Sequence, residues 1–300
     1  MSLRLDTNHP PTLDLELTDF IGESTAVLGI KGSGKANTAA VIIEELLGTL
    51  PLTILDPEGE YWGLKERFDI LIIGDTDHAD LPVVPAQAEA LAAFSINEGV
   101  SIILDMSNTF GDKANDFLVE YFKTLFRIAG TARKPYQVIV EEAHEYVPQS
   151  GSHPVADILT RIALRGRKRG LGVITISQRS AKVNKDLLTQ AEIVFLHRVV
   201  HPRDMSVYCD LLPLTKKEVE SGVRGLETGQ ALVMCKFVVK TAQIRLRDTY
   251  HAGATPGLDE GNPPELRKID DQLLDELRAA LGVTRSISKS DGPSDHRELI

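Results

Sequence analysis

Cysteine is scarce in this chain of 300 residues, with Cys209 and Cys235 the only two. That excludes a disulfide scaffold and fits a reducing cytosol. No apolar run approaches the roughly 18–20 residues that a membrane-spanning helix needs. The N-terminal MSLRLDTNHPP also lacks the apolar core of a signal peptide, so a soluble, cytoplasmic protein without a membrane partner is expected. Aromatic residues make up only 5%, which leaves no evident platform for stacking unpaired bases. Positive charge is not in excess either: a net charge of −10 argues against a general nucleic-acid coat. His144, His197 and His201 have no metal-ligand spacing and read as satisfied core or surface residues.

What is present is an ordinary globular composition, 42% apolar, long enough for one domain of about 220–250 residues plus an extension. Continuously apolar runs at 25–30, 52–56, 69–73, 101–105, 137–142, 171–177 and 192–197 read as strands covered on both faces. Helical patterns fall between them at 34–48, 84–96, 111–129, 155–168 and 203–210. The expected fold class is α/β, a mostly parallel sheet with helices on both sides. Residues 230–247 read as a strand pair that completes a domain spanning 1–250. Glycines and prolines mark 251–264 as a linker, 265–281 carries leucines at helical spacing and needs a partner surface, and the polar tail 282–300 is expected to be disordered.

Between the first strand and first helix lies Gly29-Ile30-Lys31-Gly32-Ser33-Gly34-Lys35. Strand, glycine-rich turn and helix make a phosphate-binding loop, in which backbone N–H groups cradle phosphate and Lys35 reaches the β- and γ-phosphates. ATP is the expected ligand, held by Gly29, Lys31, Gly32, Ser33, Gly34, Lys35, Ala36 and Asn37. Ala36 stands where a Ser or Thr hydroxyl is expected to meet Mg2+. Thr38 is no substitute, since two residues along a helix turn a side chain by roughly 200°. Two readings stay open, a natural variant whose metal keeps an extra water or a deliberate trapping substitution.

Glu141 and Glu142 end an apolar strand, at the edge where open α/β sheets bind ligands. By position Glu141 holds the metal and Glu142 activates the attacking water. Gln178 ends the next strand, where it can sense the γ-phosphate or place water. A cation is needed for the developing charge, and Arg167 is the first choice. Asp56 and Asp105 also sit at strand ends, and a role for Asp56 in holding Lys31, Lys35, an arginine or water is expected. Tyr61 and Trp62 pack the following loop. From 161 to 185 lie eight basic residues and no acid; Arg169, Arg179, Lys182 and Lys185 are candidates for contact with a phosphate backbone.

Taken together, GIKGSGKANTAAVIIEELL, LTILDPEGEYWGL, SIILDMS, VIVEEAHEYVP, RGRKRGLGVITISQRS and HPRDMSVY resemble the HerA branch of the HerA/FtsK superfamily of DNA-translocating ATPases, from about residue 18 to 247. The resemblance implies a RecA-like P-loop core, a hexameric ring around duplex DNA, ATP sites at subunit interfaces, and a nuclease or other effector as partner. It carries the phosphate role to Lys35, the acidic roles to Glu141 and Glu142, the sensor role to Gln178, and an interface-crossing arginine to one of Arg161, Arg165 and Arg167. Two departures stand out: Ala36, and a first core strand near residue 25 that leaves no room for the family's N-terminal β-barrel. The helix at 265–281 is the expected alternative latch onto an adjacent subunit. The competing reading is a nucleotide-gated assembly or recruitment component with little turnover. A metabolic kinase is a distant third.

Overall fold

The computed structural model describes residues 1–7, 13–253 and 263–282. The apolar runs form β1 (Ser24–Leu28), β2 (Leu52–Asp56), β3 (Ile70–Gly74), β4 (Ser101–Asp105), β5 (Tyr136–Val140), β6 (Leu171–Ser177) and β7 (Ala191–Leu196), all paired in parallel. The expected pair within 230–247 is an antiparallel hairpin of β8 (Gln230–Cys235) and β9 (Val238–Gln243). The sheet order is β3-β4-β2-β5-β6-β1-β7-β8-β9.

Successive strand side chains point to opposite faces, so a continuous apolar run feeds two cores. In β5, Val138 and Val140 join Leu91, Phe117, Tyr121 and Leu159 on one side. Ile139 joins Leu3, Phe20, Ile42 and Leu46 on the other. The covering helices are α1 (Leu17–Phe20), α2 (Lys35–Leu46), α3 (Ala88–Glu98), α4 (Gly111–Ala132), α5 (Ala143–Tyr146), α6 (Ala156–Arg165), α7 (Lys185–Leu188), α8 (Pro202–Leu211) and α9 (Lys216–Arg224). Helix α9 was not anticipated, yet a signal was present: Thr215 and Glu218 cap it reciprocally, in a T-x-x-E capping box. No helix among the described residues is long and apolar enough to cross a membrane.

The C-terminal helix α10 (Asp271–Ala280) is shorter than the expected 265–281. Asp270 sets its start, accepting from the backbone N–H groups of Gln272 at 2.9 Å and Leu273 at 3.2 Å. Just upstream, the Arg267 N–H is taken by the Lys65 carbonyl at 3.0 Å, and Arg267 pairs with Asp69 at 3.3 Å. Tertiary contacts thus hold this stretch out of the helix. The leucine stripe is met by its own domain: Leu277 is fully buried and joins the core with Ile269, and α10 touches α3. Ile269 and Leu277 are therefore spent within the chain, while Leu266, Leu273 and Leu281 stay half-buried. Leu277→Ala is expected to cost about 2–5 kcal/mol, read as a lower denaturation midpoint at unchanged slope. Most of the expected linker, and the tail from 283, lie outside the described residues.

Parallel register brings the functional strand ends to one edge. β1 lies between β6 and β7, and β5 adjoins β6, so Gly29, Glu141, Gln178 and His197 emerge side by side. Asp56 and Asp105 are directly paired across β2 and β4.

Candidate nucleotide site

The glycine loop is built as its composition requires. Gly32 (φ 77°) and Gly34 (φ 98°) occupy the left-handed region, which is strained for residues with a Cβ. A Cβ at Gly34 would also lie 2.7 Å from the Gly229 backbone. Gly229 N–H donates to the Ser33 carbonyl at 3.0 Å, and the Thr228 hydroxyl to the Gly32 carbonyl at 3.3 Å. This buttress from the Glu227-Thr228-Gly229-Gln230 turn went unread; its glycine was the available signal. Lys31 is exposed and Ala36 half-buried, while Thr38 is fully buried and no stand-in for the missing hydroxyl.

Asn37 is not a free phosphate-loop side chain. Its amide donates to the Arg245 carbonyl at 2.7 Å, and its oxygen accepts from Arg247 N–H at 3.0 Å, tying the segment after β9 to α2. Glu44 and Glu45 continue the tie, each 3.0 Å from the Arg245 guanidinium.

Lys35 and the acid pair converge across 106 residues of sequence. Lys35 Nζ donates to Glu141 Oε1 at 2.9 Å and lies 3.8 Å from Glu142 Oε1, with its side chain only 9% exposed. Burial alone would lower the ammonium pKa, but Glu141 and then Glu142 carry it above its ordinary value. The other Glu141 oxygen accepts from the Tyr61 hydroxyl at 2.7 Å, so Tyr61 does more than pack the loop. Burial, then Glu141, push the Tyr61 phenol well up, which keeps it neutral and a donor. Glu60 is carried upward by burial and by Glu141.

Glu142 is held differently. Its backbone is left-handed (φ 42°, ψ 48°), its Oε2 lies 3.1 Å from His144 Nδ1, and the Gln178 N–H approaches the same oxygen at 3.4 Å. Burial would raise its carboxyl, but the His144 hydrogen bond and Lys35 hold it below the usual range. Gln178 thus lies beside the carboxylates as expected, and its side chain makes no hydrogen bond among the described residues.

Asp56 departs from its expected role. It holds no lysine or arginine; it is fully buried and organises its own loop, accepting from the N–H groups of Glu58 at 3.2 Å, Gly59 at 2.9 Å and Tyr61 at 3.0 Å. Burial, opposed by the Tyr61 N–H and reinforced by Asp105, pushes its carboxyl up to about 7. His197 is buried beneath Gly29, next to the backbone of Ser33 and Gln230. Burial pushes it down to about 4, keeping the ring neutral below the loop.

The arginine cluster lies elsewhere. Helix α6 and the turn 167–169 return the chain to the start of β6, the edge of the sheet opposite the glycine loop. There Arg167 pairs with Glu23 at 3.0 Å and packs beside Gly22, while Arg161 and Arg165 are exposed. Arg167 therefore cannot serve the site of its own chain. Arg169 is committed to α4, donating to the Phe126 carbonyl at 3.2 Å with its guanidinium 4.1 Å over that ring, so it is not a surface DNA contact. Arg179 and Lys182 are exposed, and Lys185 pairs loosely with Asp210 at 3.4 Å. The other cation near the cluster went unread: burial lowers the Arg247 pKa against the opposing pull of Tyr61, Glu44, Glu60 and Glu141, and its guanidinium makes no ion pair within 4.0 Å among the described residues.

No group of three acids, histidines or cysteines among the described residues is placed to hold a metal ion. The donor set still suits an ion of the magnesium kind, which commonly takes one or two carboxylates and completes its shell with water and substrate phosphates.

A family model described as the central domain of helicase HerA matches residues 4–163. The DNA double-strand break repair helicase HerA of Pyrococcus furiosus is 35% identical over 149 residues, which is 48% of this chain and 27% of that protein. The HerA of Sulfurisphaera tokodaii is 28% identical over 129 residues, 42% of this chain and 26% of that protein. The chain therefore spans about a quarter of the length of these relatives. Among solved structures, VirB4 of Thermoanaerobacter pseudethanolicus superposes with a TM-score of 0.59 at 14% identity, covering 82% of this chain and 97% of that one. The genome packaging NTPase B204 of Sulfolobus turreted icosahedral virus 2, in complex with ATP-gammaS, does so with a TM-score of 0.52 at 15% identity, covering 75% and 98%. Both share the α/β fold.

Proposed function

This chain belongs to the HerA family through its central domain, and from that premise we propose that it is an ATP-dependent, DNA-translocating motor subunit. The observation that carries the reading is the convergence of Lys35 with Glu141 and Glu142 in one buried cluster beside the glycine loop. Phosphate replaces Glu141 as the partner of Lys35, while loop N–H groups hold the phosphate chain. Glu142 accepts the proton of the attacking water. Gln178 orients that water. When bound, magnesium would neutralise charge on the β- and γ-phosphates, and Glu141 is the residue that would hold it. Arg247 supports the cluster from within the chain. Arg161, Arg165 and Arg167, at the opposite edge, serve the site of a neighbouring subunit in a ring, a hexamer around duplex DNA. The exposed Arg179 and Lys182, with Lys185, follow the DNA backbone and not its bases.

The second reading, a nucleotide-gated recruitment component for a nuclease or other effector, is favoured by Ala36 and by the engagement of both Glu141 oxygens. Steady-state ATP hydrolysis with magnesium, with and without linear duplex DNA, separates the two. Turnover that DNA stimulates and that rises in Ala36→Ser is expected for a motor slowed by its missing hydroxyl. ATP binding with no turnover in either form would favour the second reading.

A further inference from the structure

His144 read as a merely satisfied histidine, but the groups that satisfy it are the water-activating carboxylate and the end of β6. Its Nδ1 lies 3.1 Å from Glu142 Oε2 and 3.2 Å from Ser177 Oγ, and its side chain is 9% exposed. A carboxylate only accepts, so Nδ1 carries the proton of this contact. Ser177 Oγ in turn accepts from the Arg179 N–H at 3.1 Å. The next residues of that loop are anchored by Asp204, which accepts from Ser180 Oγ at 2.9 Å and from Ala181 N–H at 2.8 Å.

Building on the motor reading, we propose that His144 is the positioning residue for Glu142, and that through Ser177 it ties this carboxylate to the loop bearing Arg179 and Lys182. Three features support it. Glu142 has a left-handed backbone, which is strained for a residue with a Cβ and persists only where surrounding contacts over-determine it. Nδ1–H and Gln178 N–H both engage Oε2, leaving Oε1, the oxygen nearer Lys35, to take the proton of water. Finally, Ser177 and Gln178 are the residues at which β6 becomes the basic loop, so a displacement of that loop by a phosphate backbone reaches both contacts of Glu142 through adjacent backbone atoms.

The test compares the unmodified chain with His144→Leu, His144→Asn and Ser177→Ala. The readouts are kcat and KM for ATP, and direct affinity for a fluorescent ATP analogue, each with and without linear duplex DNA. His144→Leu is expected to lower kcat by about 10- to 100-fold while analogue affinity stays within about twofold, since the glycine loop is untouched. Asparagine places an N–H near the Nδ1 position and is expected to recover most of the rate. Ser177→Ala is expected to shrink the ratio of DNA-stimulated to unstimulated turnover. Retained kcat in His144→Leu, or equal loss of rate and affinity in both His144 variants, overturns the positioning role. An unchanged stimulation ratio in Ser177→Ala overturns the tie to the loop. If the unmodified chain binds the analogue but hydrolyses nothing, the motor reading fails and this inference falls with it.

Discussion

Replacing Lys35 by methionine is expected to weaken ATP binding by about 30- to 5,000-fold, the equivalent of roughly 2–5 kcal/mol for a truncated, buried, charged partner. The cause is double. The variant loses the only ammonium within 4 Å of Glu141 and Glu142 among the described residues. It also leaves those two carboxylates, each less than 10% exposed, without their directly paired cation as the polyphosphate enters. The second effect has its own signature. Breaking a buried ion pair by removing one partner destabilises by about 3–5 kcal/mol when the remaining charge stays ionised. Lys35, after the His144 hydrogen bond, helps to hold the Glu142 carboxyl below its usual range, so that share of the Lys35→Met deficit is full above the ordinary carboxylate range and shrinks as pH falls through it. Titration with a fluorescent ATP analogue checks the first outcome, and urea denaturation across pH the second. Unchanged analogue affinity would remove Lys35 from the phosphate site.

Asp56→Ala is expected to destabilise the domain by about 3 kcal/mol or more, because the buried N–H of Tyr61 and the half-buried N–H of Gly59 lose their acceptor. Turnover should fall with it, since Tyr61 is placed by that contact and its hydroxyl holds Glu141. Asp56→Asn keeps the shape and one acceptor while removing the titration. The sign follows from a carboxyl raised to about 7 in the fold against about 3.9 in the unfolded chain. Between those values the folded protein binds more protons, so the Asp56 contribution to stability is greatest below pH 4 and declines as pH rises toward 7, by as much as roughly 4 kcal/mol. The stability difference between the unmodified chain and Asp56→Asn should therefore shift in favour of asparagine over that window. A difference flat from pH 4 to 8 would show that Asp56 is ionised throughout.

Much of the molecule was legible in one dimension because its signals are local. The strands followed from runs such as SIILD and LGVITIS, whose continuous apolarity has one physical meaning in a sheet with two cores. The glycine loop announced itself because phosphate binding needs backbone N–H groups within one turn, hence adjacent residues. Errors arose where a role depended on partners far along the chain. Asp56 reads as a holder of a lysine, an arginine or water because its own segment does not reveal that its oxygens are taken by the loop that follows it. Asn37 reads as part of the phosphate loop, and its sequence position does not reveal that its side chain holds residues 245 and 247.

The arginines make the same point. A dense basic segment reads as a single feature, yet a strand, a helix and a return turn distribute it over opposite edges of the sheet, leaving Arg167 on Glu23 and Arg169 on Phe126. Arg247, with no motif around it, is brought to Glu60, Tyr61 and Glu141 by the path of the chain after β9.

Contiguous chemistry and periodicity were enough to establish an α/β phosphate-binding fold, its glycine loop and its acid pair, because covalent neighbours within one strand or turn create those signals. Which cation faces the cluster, what holds each carboxylate oxygen, and where the C-terminal helix spends its leucines are settled by contacts between residues that adjoin only after the sheet has closed. For those, the free energies of burial and charge pairing, and not local propensity, choose the partner.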